Sequence, residues 1–405
     1  MVVFGSPAVR RTPRALLVAT LGLAAVLVAG CTGNAPAETQ PKQAADTSAA
    51  AAAKLPINLA LTPADAAGNV APGEPVTVAA TNGALGEVSL VNAEGKQVAG
   101  EFTPDRTKWT STEALGYDKK YTLTAAGKGT DGKDATAKSA FSTVKPGKQI
   151  AINVFNPKHG ETVGVGMPLQ FGFSSPPPDK KAAERAIQIT TEPKAEGAFY
   201  WFSDKEVRWR PQHYWKPGTK IKVNAAIYGK SLGGNTFGME DRKADVTVGD
   251  EFIAEADGKS HQMIIKVNGQ VVKEMPISMG RPAFPSNNGT HVVTERHASK
   301  LMDSTTYGLS LDQGGYKTPV KWATRISNGG IFIHGAPWSV RDQGRRNVSH
   351  GCLNASLDNA KWFYDNAKKG DIVVVTNTGG PNLQPWDGFG DWQIPWEEWL
   401  KGGKK

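Results

Sequence analysis

Two windows of the chain, one hundred residues apart, follow one pattern. "WTSTEALGYDKKYTLTAA" begins at Trp109 and "WRPQHYWKPGTKIKVNAA" begins at Trp209. Each holds a tryptophan, then Leu115 or Trp215 six residues on, then a run that alternates apolar and polar residues, with no gap between the windows. Further upstream, Ile57-Asn-Leu and Ile152-Asn-Val match loosely. A repeat of this period is a domain-sized unit and not a solenoid turn. Period-two alternation in Pro75-Val-Thr-Val-Ala, Glu87-Val-Ser-Leu-Val and Lys120-Tyr-Thr-Leu-Thr, broken by Gly- and Asn-containing turns, predicts short strands half buried against a core. The repeat therefore commits residues 55–147 and 148–249 to two tandem β-sandwiches, with Trp109 and Trp209 as core residues.

Seven or so short strands per hundred residues make an immunoglobulin-like sandwich the expected form of each unit. Neither carries a cluster of polar side chains, so both are expected to be spacers or wall-binding modules. The character changes at Asp250. In "HQMIIKVNGQVVKEMPIS", Asn268-Gly269 joins two alternating runs, the strongest short-range hairpin signal. His291-Val-Val-Thr, Gly330-Ile-Phe-Ile and Asp371-Ile-Val-Val-Val add strands. Ser356 to Lys369 reads as a helix: Ser356 caps it, Leu357, Ala360, Phe363 and Ala367 share a face, and Gly370 ends it. Residues 296–321 show little periodicity and read as a long lid or binding loop carrying Met302, Tyr307 and Tyr316. A mostly β domain is thus expected over 250–378. The tail 379–405, with Trp386, Trp392, Trp396 and Trp399, is expected to strap onto it.

The N-terminus is read as an address. Arg10, Arg11 and Arg14 precede the apolar run Ala15 to Val28, which is short for a bilayer span. Leu27-Val28-Ala29-Gly30-Cys31 then closes on a cysteine, which predicts a lipoprotein-type signal over 1–30 with Cys31 lipidated. Residues 31–54, rich in Ala, Thr, Gln and Pro, read as a disordered tether. The protein is therefore expected to be exported and held to the cell membrane, facing the wall. Its net charge of +9 suits an anionic surface, and export makes nucleic acid an unexpected partner. The chain has two cysteines. If Cys31 carries lipid, Cys352 is left over, and a leftover cysteine in an exported chain suggests a reactive thiol.

Cys352 lies in Ser349-His350-Gly351-Cys352-Leu353-Asn354. A thiol with the ordinary pKa near 8.5 is mostly protonated at neutral pH and needs a base or cation to act as a nucleophile. Two histidines are at hand. His350 would share a face with Cys352 in an extended segment, and His334 ends the apolar run Ile331-Phe-Ile, a rigid place for a base. Gly335 and Gly351 would allow close backbone approach, and N–H groups around Gly351 and Cys352 could hold an oxyanion. Taken singly, Cys352 and His334 also fit a packed core. A zinc site would be short of protein ligands. Taken together, the nucleophile reading leads, with no cofactor and no metal.

His334 followed, fourteen residues later, by Ser349-His350-Gly351-Cys352-Leu353-Asn354 resembles the catalytic signature of the L,D-transpeptidases of the YkuD type. "HGAPWS", "YGLSLDQGGY" and "DWQIPWEEW" resemble actinobacterial members built from a lipoprotein start, two immunoglobulin-like modules, a catalytic domain and a Trp-rich tail. The resemblance implies a peptidoglycan cross-linking acyltransferase. Cys352 would attack the diaminopimelate carbonyl of a tetrapeptide stem and release D-Ala. A second stem's side-chain amine would resolve the acyl-enzyme as a 3→3 link. His334 would be the base, held by a carbonyl near Gly335, His350 would shape the site and support the thiolate, and the N–H groups of His350, Gly351 and Cys352 would hold the oxyanion. Met302, Tyr307, Tyr316, Trp338, Ser349, Asn354 and Gly335 would line the substrate path, and carbapenems would acylate Cys352. Many members carry Arg where this chain has Asn354; Arg345 and Arg346 are the nearby cations. The alternatives are an L,D-carboxypeptidase, in which water replaces the acceptor, a cysteine peptidase acting on stem peptides, and a non-enzymatic wall-binding scaffold. Papain-like peptidases order Cys before His, the reverse of the order here. The sequence leaves the oligomeric state open.

Overall fold

The computed structural model describes residues 54–404. The signal segment, nearly all of the tether and Cys31 lie outside the described residues, as does the side chain of Tyr307.

The repeat is visible atom by atom. In the first sandwich, the strands Asn58–Thr62, Thr77–Thr81, Lys108–Ser111 and Gly100–Phe102 form one sheet, and Gly83–Asn92, Lys120–Gly129 and Asp134–Ser142 form the other. In the second, Thr162–Val163, Arg242–Val248, Lys220–Ala225 and Ile187–Glu192 face Gly197–Trp201, Glu206–Pro211, Leu169–Phe173 and Ile152–Asn156. Trp109 and Trp209 are both buried, and so are Leu115 and Trp215. Trp109 pairs across its strand with Phe102, and Trp209 with Phe199. Each indole also covers a glycine on that partner strand. A Cβ at Gly100 would come 2.0 Å from the Trp109 ring, and one at Gly197 would come 2.1 Å from the Trp209 ring. The repeat is therefore a repeated packing solution, a large ring seated where only glycine leaves room. The sandwiches are joined by Tyr117, whose hydroxyl donates to the Gly238 carbonyl at 2.7 Å, and by Tyr228, whose hydroxyl donates to the Leu115 carbonyl at 2.6 Å.

The third unit has two sheets. One orders the strands Gln270–Pro276, Gln262–Val267, Phe252–Asp257, Ile372–Thr376 and Gly289–Val292. The predicted hairpin turn is present, with Asn268 and Gly269 both at positive φ. The other sheet orders Glu295–Asp303, Lys317–Arg325, Phe332–Gly335 and Leu353–Ala355. The helix spans Leu357–Asn366, and the Ser356 side chain accepts from the Asn359 N–H as a cap. Ala360 and Phe363 point inward as expected, but Leu357 is largely exposed and the helix ends before Gly370.

The segment 296–321 departs from its reading as a loop. Residues Glu295–Asp303 and Lys317–Arg325 form a long antiparallel hairpin, and only its tip, 304–316, is irregular, holding two short 3-10 turns. The first strand, "ERHASKLMD", is an edge strand whose side chains are mostly half buried or exposed, so no apolar alternation marks it. The tail also departs from expectation. Its first part meets the third unit, where Asn288 Nδ2 donates to the Gly380 carbonyl at 2.7 Å and the Leu383 N–H to the Asn288 carbonyl at 2.8 Å. Its second part docks on the second sandwich: Arg208 pairs with Asp391 at 2.8 Å, Arg210 donates to the Ile394 carbonyl at 2.7 Å, and Trp399 Nε1 donates to the Ala198 carbonyl at 2.9 Å. Arg210 lies against the rings of Trp392, Trp396 and Trp399, which explains the tryptophan spacing as a clasp around one buried guanidinium.

The second sandwich and the third unit share a core through Val292, Ile372 and Phe389. Their backbones meet where the Gly164 N–H donates to the Lys369 carbonyl and the Gly166 N–H to the Gly370 carbonyl, each at 2.8 Å. Asp371 is fully buried at this junction. The Lys368 N–H donates to its Oδ2 at 2.7 Å, while Oδ1 has no hydrogen-bond partner. Burial pushes its pKa up to about 7, with the nearby Lys368 acting in the opposite direction. Between pH 4 and 7 the folded chain keeps a proton on Asp371 that the unfolded chain has lost, so this residue's share of stability falls as pH rises through that window. Relative to wild type, Asp371→Asn should gain stability over pH 4 to 7, at about 1 kcal/mol per pH unit, and no more above pH 7. Paired thermal melts across that range check both the sign and the plateau.

Candidate active site

The strand Phe332–Gly335 is buried along its whole length in the middle of its sheet, which makes it a fixed platform. It runs parallel to Leu353–Ala355, with Ile333 opposite Leu353 and His334 opposite Asn354. Cys352 immediately precedes that partner strand. The register thus brings the cysteine and the histidine, eighteen positions apart, to the mouth of the same two strands. Both line one cleft of about 220 Å³, together with Met302, Tyr316, Trp338, Ser349, His350 and Asn354.

His334 is 4% exposed, and its Nδ1 lies 3.1 Å from the Gly335 carbonyl. A carbonyl only accepts, so Nδ1 carries the proton and Nε2 keeps its lone pair. Burial pulls the His334 pKa below the usual histidine value, and the carbonyl offsets this in part. The ring is a neutral base in a fixed tautomer. Gly335 supplies that carbonyl, and a Cβ there would come 2.8 Å from the Leu357 side chain, which would have to shift.

Cys352 is buried in a small apolar cluster with Met302, Val320, Ala323 and Phe332, apart from the main core of the unit. Its Sγ lies 3.5 Å from the Gly330 carbonyl. Burial pushes the thiol up to about 11; the Phe332 N–H and the Arg325 charge oppose that shift. The resting group is a protonated thiol. Its nucleophilic form arises when a base takes the proton, and it is not stored as a thiolate.

The neighbouring motif residues are bonded to one another. The Gly351 N–H donates to Ser349 Oγ at 3.0 Å, and Ser349 Oγ donates to the Cys352 carbonyl at 2.6 Å. Gly351 has φ +121°, a conformation that L side chains rarely adopt, so glycine is required there for its backbone and not for space. Ser286 Oγ donates to the Gly351 carbonyl at 2.6 Å and fixes the turn from outside. Asn354 is buried, with Nδ2 donating to Ser339 Oγ at 3.1 Å. Trp338 is 54% exposed at the rim, and its ring centroid lies 6.1 Å from that of His334. Arg345 and Arg346 are exposed and do not line the cleft.

His350 is engaged away from the thiol. Its Nε2 lies 2.8 Å from Arg281 Nη2 and 3.1 Å from the Gly314 carbonyl at the hairpin tip. Its ring packs between Phe284 and Tyr316. Burial, and then the Arg281 charge, lower its pKa, so it is neutral at pH 7.

Thr318, Val320 and Val348 also line the cleft, and Arg281 and Arg325 stand behind it; none was marked by the sequence. Thr318 sits opposite Met302 in the hairpin, so reading that segment as paired strands would have found it. Among the described residues, no three His, Cys, Asp or Glu side chains converge to hold a metal ion.

Comparison with known proteins finds matches along most of the chain. Residues 251–375 match the model of the L,D-transpeptidase catalytic domain, and residues 67–231 match that of the bacterial Ig domain. The chain is 45% identical to L,D-transpeptidase 2 of Mycobacterium tuberculosis (strain CDC 1551 / Oshkosh) over 396 residues, 98% of this chain and 97% of that one. It is 37% identical to L,D-transpeptidase 5 of M. tuberculosis (strain ATCC 25618 / H37Rv), over 84% of this chain and 76% of that one. A solved L,D-transpeptidase in complex with imipenem matches with 34% identity and a TM-score of 0.50, over 56% of this chain and 99% of the other. With 45% identity over nearly the whole of both chains, the chain belongs to the L,D-transpeptidase family and is an enzyme.

Proposed function

We propose that this enzyme forms 3→3 diaminopimelate cross-links in peptidoglycan through an acyl-enzyme on Cys352. The carrying observation is that Cys352 and a His334 whose lone pair is fixed on Nε2 line one cleft. In the first step His334 Nε2 takes the thiol proton and Sγ bonds to the carbonyl carbon of the third stem residue, placing a negative charge on its oxygen. Ser349 Oγ already holds the Gly351 N–H, so the N–H groups of His350 and Cys352 are the donors assigned to that oxygen. The C–N bond then breaks, and D-Ala leaves with the proton returned from His334. In the second step His334 takes a proton from the acceptor amine as it attacks the thioester, and the thiol is restored. Met302, Tyr316, Trp338 and Asn354 line the donor path; Tyr307 is assigned to the lid. A carbapenem would follow the first step alone, its β-lactam C–N bond opening onto Sγ. The relative solved in complex with imipenem supports this expectation. The same reading has the protein exported and lipid-anchored through Cys31.

The test is product analysis with tetrapeptide stems. A cross-linked dimer lighter by one D-Ala is expected. Tripeptide alone would replace this reading with L,D-carboxypeptidase. No turnover by folded protein, together with no carbapenem adduct, would leave the wall-binding scaffold.

A further inference from the structure

His350 Nε2 has one hydrogen-bonding position and two claimants. Arg281 Nη2, at 2.8 Å, can only donate. The Gly314 carbonyl, at 3.1 Å, can only accept. If Nε2 holds a lone pair, it accepts from Arg281 and faces the carbonyl with like charge. If Nε2 carries a proton, it donates to Gly314 and faces the guanidinium with like charge. The two bonds exclude each other. The claimants also belong to different bodies. Arg281 follows the bridge between Gly280 and Ser349 and lies over Phe284, whereas Gly314 is at the tip of the hairpin that caps the cleft. Within the tip, Ser304 Oγ donates to the Leu309 carbonyl and accepts from the Tyr316 N–H, and the Tyr316 ring packs on that of His350.

We propose that Arg281 is a positioning residue that competes with the Gly314 carbonyl for His350 Nε2 and so decides whether the hairpin tip is latched onto the catalytic motif. With Arg281 bonded, His350 has its proton on Nδ1 and the tip is released for substrate to enter. When Nε2 gains a proton, Arg281 is displaced and the tip is latched. The tip therefore tightens as pH falls. Among the described residues, Arg281, from the loop after Met279, and Tyr316, whose ring packs on His350 from the hairpin, are the charged and titratable groups that face His350; Cys352 lies on its own segment. At the base of the tip Asp303, and within it Asp312, are held below the usual carboxylate range by side-chain hydrogen bonds from Thr305 and Ser310, so both stay ionised at neutral pH. The inference concerns access to the cleft and stands whether the acyl-enzyme is resolved by an amine or by water.

Hydrogen exchange of the peptide spanning 304–316, corrected for the intrinsic pH dependence, tests it without turnover. In wild type, protection should rise as pH falls from 8 through the lowered His350 pKa, by about three- to tenfold in all, the worth of one hydrogen bond. In Arg281→Met, His350 is free to place its proton on Nε2, so protection should be high across that range and carbapenem acylation slower. A merely structural arginine predicts the opposite sign, a looser tip. Arg281→Lys, which keeps a cationic donor, should restore the wild-type pH response. Protection independent of pH in wild type, or a looser tip in Arg281→Met, overturns the proposal. If Arg281→Met does not fold, the wild-type pH response decides alone.

Discussion

Cys352→Ala is expected to form no covalent adduct with a carbapenem under conditions in which wild type is fully modified. Intact mass and peptide mapping read the result directly. The variant should stay folded, because the thiol is a small member of a satellite apolar cluster, and its loss should cost about 1 kcal/mol. An adduct on the variant would move the nucleophile elsewhere. The wild-type thiol makes a companion prediction. With the group raised to about 11, its resting thiolate fraction at pH 7 is on the order of 10⁻⁴. Alkylation by iodoacetamide should therefore be slow at pH 7 and climb about tenfold per pH unit until near pH 10. A rate already at plateau at pH 7 would mean a stored thiolate–imidazolium pair, contrary to a buried, neutral His334.

That the thiol is protonated at rest could not be read from the sequence. The motif supplied the residue types and their spacing, and these suggested a nucleophile and a base. The pKa depends on what surrounds Sγ, and Met302, Val320, Ala323 and Phe332 come from three separate strands. The tautomer of His334 follows from a bond to the carbonyl of the next residue, which the family resemblance suggested but did not fix. Strands with one buried face were legible, as were the Asn268-Gly269 turn and the helix capped by Ser356, because each rests on local chemistry. The hairpin over 295–325 was not, because an edge strand needs no apolar alternation. Its second strand also bends at Trp322, where φ is +57° and the register shifts. The tail was recognised as a strap on the third unit, but its second partner, the second sandwich, was not. Arg208 and Arg210 alternate with buried residues in a strand of the second sandwich, and nothing local shows that their charge waits for Asp391 and the Ile394 carbonyl from some 180 residues on.

The base carries the second large effect. His334→Gln should slow carbapenem acylation by about 10²–10⁴-fold, the usual worth of a positioned general base. Glutamine keeps an amide donor for the Gly335 carbonyl, so the loss reports proton transfer more than collapse of the strand. The pH profiles separate the two cases further. Burial lowers the His334 pKa, so the wild-type rate should stay level as pH falls past the usual histidine value and drop only below it. The variant has no such base, and its residual rate should rise about tenfold per pH unit with the thiolate fraction of Cys352. An unchanged rate in His334→Gln would transfer the role to His350. That transfer would require His350 Nε2 to leave both Arg281 and Gly314, and it would therefore show as a dependence on Arg281 of the acylation rate at saturating carbapenem, whereas with His334 as the base Arg281 acts on entry alone.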